Sequence, residues 1–291
     1  MQNITYGFVG LGLMGGSFAK AIREKILSLP NARGRILAVD KNVRSLRQSI
    51  DEKIIDTAYN MNDCCAMLSL CDFVFVCLYP KTALDFLITF KQHFKSGSIV
   101  TDISGVKNQF AGNIKQFLRT DVDFICAHPM AGSEKEGLQH SRFDLFEGRN
   151  YILMPLPSNK EENLIFFKRL VFKIGFKHIT ESTPEDHDKK IAFTSQLCHV
   201  IASALVDSAC DTSITNFGGG SFEDLTRIAM INAPLWSELF LENKNELLNQ
   251  IANFEASLDK IKKHIENNDY DKLCAALQDV RKKRIAMSRG T

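Results

Sequence analysis

The sequence predicts an α/β domain followed by an all-helical domain, and three observations support this prediction. A glycine-rich turn near the N-terminus joins a short apolar segment to a helical pattern. Apolar segments of strand length then alternate with helical patterns as far as about residue 180. From Thr183-Pro184-Glu185, a typical helix start, only helical periodicity remains. We therefore predict one domain over residues 1–180 and a second over residues 181–291.

The glycine turn has the complete sequence context of a dinucleotide-binding site. A strand predicted at Ile4 to Val9 leads into the turn, a helix and a second strand at residues 35–39 follow, and that strand ends at Asp40. This order is typical of a Rossmann-type domain, whose glycine turn and helix N-terminus bind pyrophosphate. We expect Gly10 to permit the tight turn, Gly12 to let the backbone approach the pyrophosphate, and Gly15 to let the helix pack close to the strand. An ordinary strand-to-helix turn is the alternative. We predict that the cofactor contacts a run of six residues, namely Gly10, Leu11, Gly12, Leu13, Met14 and Gly15.

Asp40 indicates which dinucleotide is bound. It lies 25 residues after Gly15 (40 − 15), slightly beyond the usual spacing, and a longer connection at residues 29–34 explains the difference. A carboxylate here accepts hydrogen bonds from the ribose diol and repels a 2′-phosphate, which favours NAD. Lys41 and Arg44 stand nearby and keep NADP open.

Further strands are predicted from apolar segments across the rest of the first domain. The segment from Phe73 to Tyr79 is apolar throughout, as expected for a parallel strand that is buried on both faces. The remaining strands are predicted at residues 98–102, 122–127, 151–155 and 177–180.

Composition argues against several classes of partner. The formal net charge is +2, which gives no electrostatic reason to expect nucleic acid or an anionic membrane. No segment is long and apolar enough to span a bilayer, and no basic signal region precedes the first strand. Several of the eight cysteines lie inside apolar segments, and none has zinc-site spacing. We expect a cytoplasmic protein without a metal.

Two groups of polar residues in the helical part are candidate ligand contacts. Asp188, Ser195 and His199 share one face of a largely apolar helix, and they line either a cleft or the solvent-exposed surface. Arg227 follows Asp224 by three residues and is a candidate residue for binding a substrate carboxylate with two hydrogen bonds. The alternatives are an Arg227–Asp224 ion pair and a capping role for Asp224 with Ser221.

His128 is a titratable side chain at the point where a buried strand reaches the surface. It stands in the motif His128-Pro129-Met130-Ala131-Gly132-Ser133-Glu134. The chain resembles the prephenate dehydrogenase family in this motif and in several others. These are the glycine turn, residues 101–107 (TDISGVK), His187-Asp188, Ser195 with His199, and residues 224–229 (DLTRIA) before Trp236. That family includes arogenate and cyclohexadienyl dehydrogenases, and the resemblance covers roughly residues 4–245.

The resemblance implies an NAD-dependent oxidative decarboxylation of prephenate to 4-hydroxyphenylpyruvate in tyrosine biosynthesis, by a homodimer. His128 corresponds to the general base, Arg227 to the carboxylate anchor and His199 to a substrate-holding histidine. Ser133, Glu134 and Ser195 would border the substrate. Asp102, at the end of a predicted strand, would organise the nicotinamide side or, as the favoured alternative, cap the next helix.

The chain departs from the family pattern at two places. Relatives often have glycine-serine where this chain has Ser104-Gly105, and their serine bonds the catalytic histidine. Either Ser104 reaches His128, or another group or water replaces it. Some relatives also have a second histidine where this chain has Gln196. Arogenate therefore remains open as the substrate, with prephenate favoured because Ser195, Gln196 and His199 include no acid.

Two other functional classes fit part of the sequence. A β-hydroxyacid dehydrogenase would have a similar glycine turn, but its glycine-rich segment with a catalytic lysine and asparagine is not found. A non-catalytic NAD sensor would need the first domain and Asp40, but would need neither His128 nor Arg227.

Overall fold

An eight-stranded sheet forms the centre of the computed structural model, which describes residues 1–117 and 119–288. The strands are β1 (Thr5–Val9), β2 (Arg35–Val39), β3 (Thr57–Tyr59), β4 (Phe73–Val76), β5 (Ile99–Asp102), β6 (Asp123–Pro129), β7 (Asn150–Met154) and β8 (His178–Glu181). Their spatial order is β3-β2-β1-β4-β5-β6-β7-β8. Every neighbouring pair is parallel except β6 and β7, which are antiparallel.

Helices accompany the sheet, and apolar side chains cover both of its faces. Phe8 and Phe75 stack with ring centroids 5.1 Å apart on one face, where Phe18 also packs against Phe75. Val74 and Val76 point to the opposite face, as the two-residue period of a strand requires. The helices are α1 (Leu13–Ile22), α2 (Val43–Asp51), α3 (Cys64–Leu70), α4 (Pro80–Phe90), α5 (Asn108–Phe117) and α6 (Glu161–Lys173).

The rest of the described chain is helical. Residues 1–243 form one compact unit, and a second begins at Lys244. Within the first unit the sheet is followed by α7 (Pro184–Ile191), a π-helical turn (Ala192–Gln196), α8 (Leu197–Asp207), α9 (Gly220–Thr226) and α10 (Ala233–Glu242). The second unit consists of α11 (Lys244–Glu266) and α12 (Tyr270–Ser288), which contact each other.

The predicted fold class, an α/β domain followed by helices, is confirmed, and seven of the strands were predicted to within a few residues. The strand β3 was not predicted, because its three residues are partly buried or exposed and form no long apolar segment. The strand β6 extends two residues further than predicted and therefore includes His128 and Pro129. The predicted helix start is confirmed as well, since the Thr183 side chain accepts a hydrogen bond from the Asp186 N–H.

Two further observations concern membranes and thiols. Within residues 1–117 and 119–288, no helix combines the length and apolar character needed to cross a membrane. All eight cysteines are free thiols, and Cys64, Cys71 and Cys126 are buried.

Candidate active site

The glycine turn has the geometry that was predicted for each of its glycines. Gly10 has φ +95°, a left-handed conformation in which side chains are strained. A Cβ on Gly15 would lie 2.1 Å from the Gly10 carbonyl oxygen, so only glycine allows α1 to approach β1 so closely. A Cβ on Gly12 would meet nothing within 4 Å. Gly12 therefore leaves the N-terminus of α1 open to a ligand.

Asp40 organises the turn from the end of β2. Its carboxylate accepts hydrogen bonds from the backbone N–H of Leu11 and of Asn42. The prediction that Leu11 contacts the cofactor is not supported, because its side chain is fully buried in the core and its N–H is donated to Asp40. Asp40 itself is only half-buried and keeps accepting capacity for a ribose hydroxyl.

A cleft of about 560 Å³ opens beside the glycine turn. It lies at the carboxyl ends of β1, β4, β5 and β6, where the strand order reverses between β1 and β4, and ligands of such sheets bind at this edge. Helices α8 and α10 form the opposite wall. Its lining includes eleven of the predicted site residues: Gly12, Leu13, Met14, Gly15, Ser104, His128, Ser133, Glu134, Ser195, His199 and Arg227.

His128 lines this cleft from the carboxyl end of β6, where it is the second-last residue of the strand. Its Nδ1 atom lies 2.9 Å from Nε2 of His187, which is buried on α7. Nδ1 of His187 in turn lies 2.7 Å from Asp188 Oδ1. The Asp188 carboxylate also accepts the backbone N–H groups of Lys107 and Asn108, and so caps the N-terminus of α5. Two histidines and an aspartate thus form a continuous hydrogen-bonded row.

The environment of His128 keeps its ring neutral. Burial lowers the pKa of His128 well below its usual value of 6.5, and the neighbouring His187 and Lys107 lower it further. A neutral imidazole at neutral pH has one unprotonated nitrogen, which is the form that a general base requires.

Asp102 forms a buried ion pair with Lys107. Its carboxylate accepts two hydrogen bonds from Lys107 Nζ, at 2.9 and 2.8 Å, and one from the Ser104 N–H. Both side chains of this ion pair are 0% exposed. Asp102 therefore cannot reach a cofactor in the cleft, contrary to the predicted cofactor contact. The favoured alternative, capping of α5, is also wrong, since Asp188 provides that cap.

Ser104 and Gly105 lie between the glycine turn and His128. Ser104 is among the residues that line the cleft, but its hydroxyl oxygen is buried and has no hydrogen-bond partner. It is therefore not the partner of His128, whose Nδ1 lies 2.9 Å from His187 Nε2. A Cβ on Gly105 would lie 3.7 Å from Nε2 and Cε1 of His128, so this glycine leaves that edge of the ring open to the cleft.

The predicted polar stripe of Asp188, Ser195 and His199 divides into two parts. Ser195 and His199 line the cleft, whereas Asp188 is buried against α5. The π-helical turn at Ala192–Gln196, which contains Ser195, changes the helical register after Asp188 by its wider turn. Nδ1 of His199 donates to the Ser195 carbonyl oxygen, and its ring stacks on Trp236 at 3.5 Å. Burial also lowers the pKa of His199.

Arg227 lines the cleft at its mouth, and its guanidinium forms one long ion pair. Its Nη1 lies 3.5 Å from Glu134 Oε2, and both side chains remain partly exposed. Arg227 thus pairs with Glu134 rather than with Asp224. The proposed capping box is wrong too, because α9 begins at Gly220 and has no side-chain cap. Such an exposed pair is weak, so a substrate carboxylate can replace Glu134 at little cost.

Two buried residues of the site, His187 and Lys107, were not predicted as site residues from the sequence. His187 was noted only within a family motif, and Lys107 only as the end of another. The sole local signal for His187 is its adjacency to Asp188, because helical periodicity says nothing about a neighbour on β6. The residues at the cleft surface were easier to find because each stands at the end of a strand or on a polar face.

The fold and the cleft together define a dinucleotide-dependent dehydrogenase. An open glycine turn lies beside a neutral histidine, and an arginine lies at the mouth of the same cleft. This arrangement serves proton removal from an anionic alcohol next to a hydride acceptor.

Comparisons with known proteins agree with this class. Family models match at residues 18–180, for the prephenate dehydrogenase nucleotide-binding domain, and at residues 183–279, for the prephenate dehydrogenase dimerization domain. The prephenate dehydrogenase of Bacillus subtilis is 27% identical over 92% of this chain and 72% of its own length. The chain belongs to the prephenate dehydrogenase family and is an NAD-dependent dehydrogenase.

Two solved structures extend the comparison. The prephenate dehydrogenase of A. aeolicus in complex with hydroxyphenyl propionate and NAD+ superposes with a TM-score of 0.86 at 31% identity, covering 99% of this chain and 98% of that chain. The arogenate dehydrogenase of Synechocystis superposes with a TM-score of 0.79 at 25% identity, covering 98% of this chain and 100% of that chain.

Proposed function

We propose that this protein catalyses the NAD-dependent oxidative decarboxylation of prephenate to 4-hydroxyphenylpyruvate in tyrosine biosynthesis. The observation that supports it most directly is that His128 from β6 and Arg227 after α9 line one cleft together with Gly12–Gly15. A base, an anion-binding group and a cofactor turn are all required for this reaction. The related enzymes from B. subtilis and A. aeolicus are named for the same substrate.

The residues of the glycine turn fit NAD. The first N–H groups of α1 have no side-chain cap, and the ten-residue helix directs its positive dipole end toward the same place. The open space at Gly12 admits the pyrophosphate, and the half-buried Asp40 carboxylate would accept a ribose hydroxyl. Bound NAD supplies the hydride acceptor, and the chain supplies the remaining groups.

His128 starts the reaction by taking the proton of the ring hydroxyl on its Nε2 atom. The hydroxyl electrons then form a carbonyl as the ring carbon releases its hydride, for which bound NAD would be the acceptor. The bond between the opposite ring carbon and its carboxylate breaks, carbon dioxide leaves, and the bonding electrons pass through the ring to the oxygen. The aromatic phenolate that results takes up a proton to give 4-hydroxyphenylpyruvate. A general base of this kind contributes roughly 10²- to 10⁴-fold to the rate. Gly105 allows the substrate ring to approach Nε2 closely.

Arg227 and His199 hold the substrate in this geometry. The planar guanidinium of Arg227 binds a carboxylate with two parallel hydrogen bonds, in exchange for its contact with Glu134. His199 donates its Nδ1 hydrogen to Ser195, so its neutral ring presents Nε2 as an acceptor. Ser195 and Ser133 border the same space. The helical residues that line the cleft, Ser195, Gln196 and His199, include no acid to bind the ammonium of arogenate, which favours prephenate.

Turnover with each substrate tests this proposal. With NAD and prephenate, the purified protein should reduce the cofactor, as followed by its absorbance, and should release 4-hydroxyphenylpyruvate. Arogenate under the same conditions should give a much lower kcat/KM. No reduction with either substrate would refute the proposal, and a preference for arogenate would move the protein to the alternative substrate.

We expect Arg227→Ala to raise the KM for prephenate by roughly 10- to 100-fold, because a hydrogen-bonded charge contributes about 1.5–3 kcal/mol. The expected effect on kcat is small, since Arg227 binds a carboxylate that is remote from the proton transfer. The KM of Arg227→Lys for prephenate should lie between those of the original protein and Arg227→Ala, because lysine keeps the charge but cannot form two parallel hydrogen bonds. Steady-state kinetics at saturating NAD give both constants.

Arg169→Ala is a matched control, because Arg169 is an exposed arginine on α6 outside the cleft. It should leave both constants unchanged. A KM for Arg227→Ala within twofold of the original protein would contradict the anchoring role.

The proposal also includes the organisation of the protein. We assign cofactor binding to residues 1–180, and substrate binding and dimerisation to residues 181–291. The family match to a dimerization domain supports a homodimer, and so do the exposed apolar side chains of the second unit, among them Leu248, Leu258, Ile265, Leu277, Val280 and Ile285. Eight free thiols agree with a reducing compartment, which supports a cytoplasmic location.

A further inference from the structure

The hydrogen-bonded row behind His128 has a direction that the donors and acceptors determine. Both carboxylate oxygens of Asp188 accept a backbone N–H, from Lys107 and from Asn108 at 2.9 Å each, so Asp188 is an acceptor in this row. The atom of His187 that faces this carboxylate is Nδ1, at 2.7 Å. Nδ1 of His187 must therefore carry a hydrogen, and in a neutral ring its Nε2 is left as an acceptor.

The acceptor role of His187 Nε2 determines the hydrogen position on the His128 ring. His187 Nε2 faces His128 Nδ1 at 2.9 Å, so His128 must donate from Nδ1. The remaining nitrogen of a neutral His128, Nε2, then has a free electron pair. This is the nitrogen beside Gly105, where the ring borders the cleft.

We propose that His187 and Asp188 are positioning residues that hold His128 in the tautomer with the hydrogen on Nδ1. They give His128 its basic nitrogen on the cleft side and fix the ring orientation. His187 is 1% exposed and Asp188 is 1% exposed, so water does not compete for these bonds. The inference rests on the proposed role of His128 as base, but its first test needs no substrate.

The alternative arrangement has the opposite consequence for the base. If His187 carried a second proton, it would donate from Nε2 to His128 Nδ1, and a neutral His128 would then carry its hydrogen on Nε2. The cleft-side nitrogen could not accept a proton from the substrate.

Nitrogen NMR of ¹⁵N-histidine-labelled protein reads the tautomer directly. The spectra are taken on the substrate-free protein at neutral pH, and His128→Asn and His187→Gln samples assign the two rings. We expect a protonated Nδ1 and an unprotonated Nε2 on His128. A protonated Nε2 on His128 would overturn the proposal, whatever the substrate proves to be.

Two substitutions at His187 test the consequence for catalysis. His187→Phe keeps a ring but offers no acceptor, and we expect kcat to fall by at least about tenfold. His187→Gln offers a carbonyl oxygen to the His128 Nδ1 hydrogen and should recover much of that loss. The KM for prephenate and the affinity for NADH, measured by its fluorescence, should change less than about twofold in both variants.

The pattern of outcomes separates positioning from support of the fold. Thermal unfolding identifies a variant that is simply destabilised, and the glutamine variant remains informative if the phenylalanine variant fails to fold. Wild-type kcat in a folded His187→Phe protein would overturn the proposal. Equal losses in folded glutamine and phenylalanine variants would overturn it too, because the acceptor would then make no difference.

Discussion

His128→Asn should lower kcat by roughly 10²- to 10⁴-fold, because the base that removes the hydroxyl proton is lost. Asparagine is close in size, but its amide does not accept a proton at neutral pH. The cofactor turn at Gly12–Gly15 is built from other strands, so the affinity for NADH should stay within about twofold. Stopped-flow and steady-state absorbance give kcat, and NADH fluorescence gives the affinity.

The exposed His178 on β8 provides the matched control, since it lies outside the cleft. His178→Asn should have wild-type kcat. If His128→Asn retains kcat within a few-fold of the original protein, another group removes the proton and the proposed mechanism is wrong.

Lys107→Met should lower the free energy of unfolding by about 3–5 kcal/mol, because it leaves the Asp102 carboxylate buried without its countercharge. Lys107 and Asp102 are both 0% exposed, so water cannot replace the missing ammonium. Methionine fills a similar volume, which keeps the packing loss small. Urea unfolding followed by circular dichroism measures the change.

Two controls test whether the cost comes from an unpaired buried charge: a double variant and a variant of an exposed ion pair. Asp102→Asn combined with Lys107→Met should be much less destabilised than the sum of the single variants, because no unpaired charge remains. Lys190→Met, which breaks the exposed pair with Asp186, should cost less than about 1 kcal/mol. A cost for Lys107→Met as small as that for Lys190→Met would show that the buried pair does not stabilise the fold.

The glycine turn shows how far local sequence can predict a site. Gly10, Gly12 and Gly15 were assigned a turn, an open approach and a close packing contact, and the structure has all three. Each of these requirements acts on the backbone within a few residues, so the sequence spacing is enough to express it. The same holds for the helix start at Thr183.

The interior of the site was predicted less well. Asp102 was assigned to the cofactor, yet it is buried against Lys107. Asp188 was grouped with Ser195 and His199 on one face, yet the π-helical turn that contains Ser195 changes the helical register after Asp188. In both cases the outcome depends on a neighbour or a change of helical register that an ideal period does not contain.

The sequence by itself determined the fold class and the cofactor turn, because these depend on residue types at short, regular spacings, and its motifs indicated the family by resemblance. Only the tertiary structure decided which partners the titratable groups have. His128 and His187 are 59 residues apart in the chain but 2.9 Å apart in space, and Lys107 and Asp188 are separated by 81 residues. Hydrogen bonds act over about 3 Å, so no pattern along the chain can report them until the strands and helices have packed.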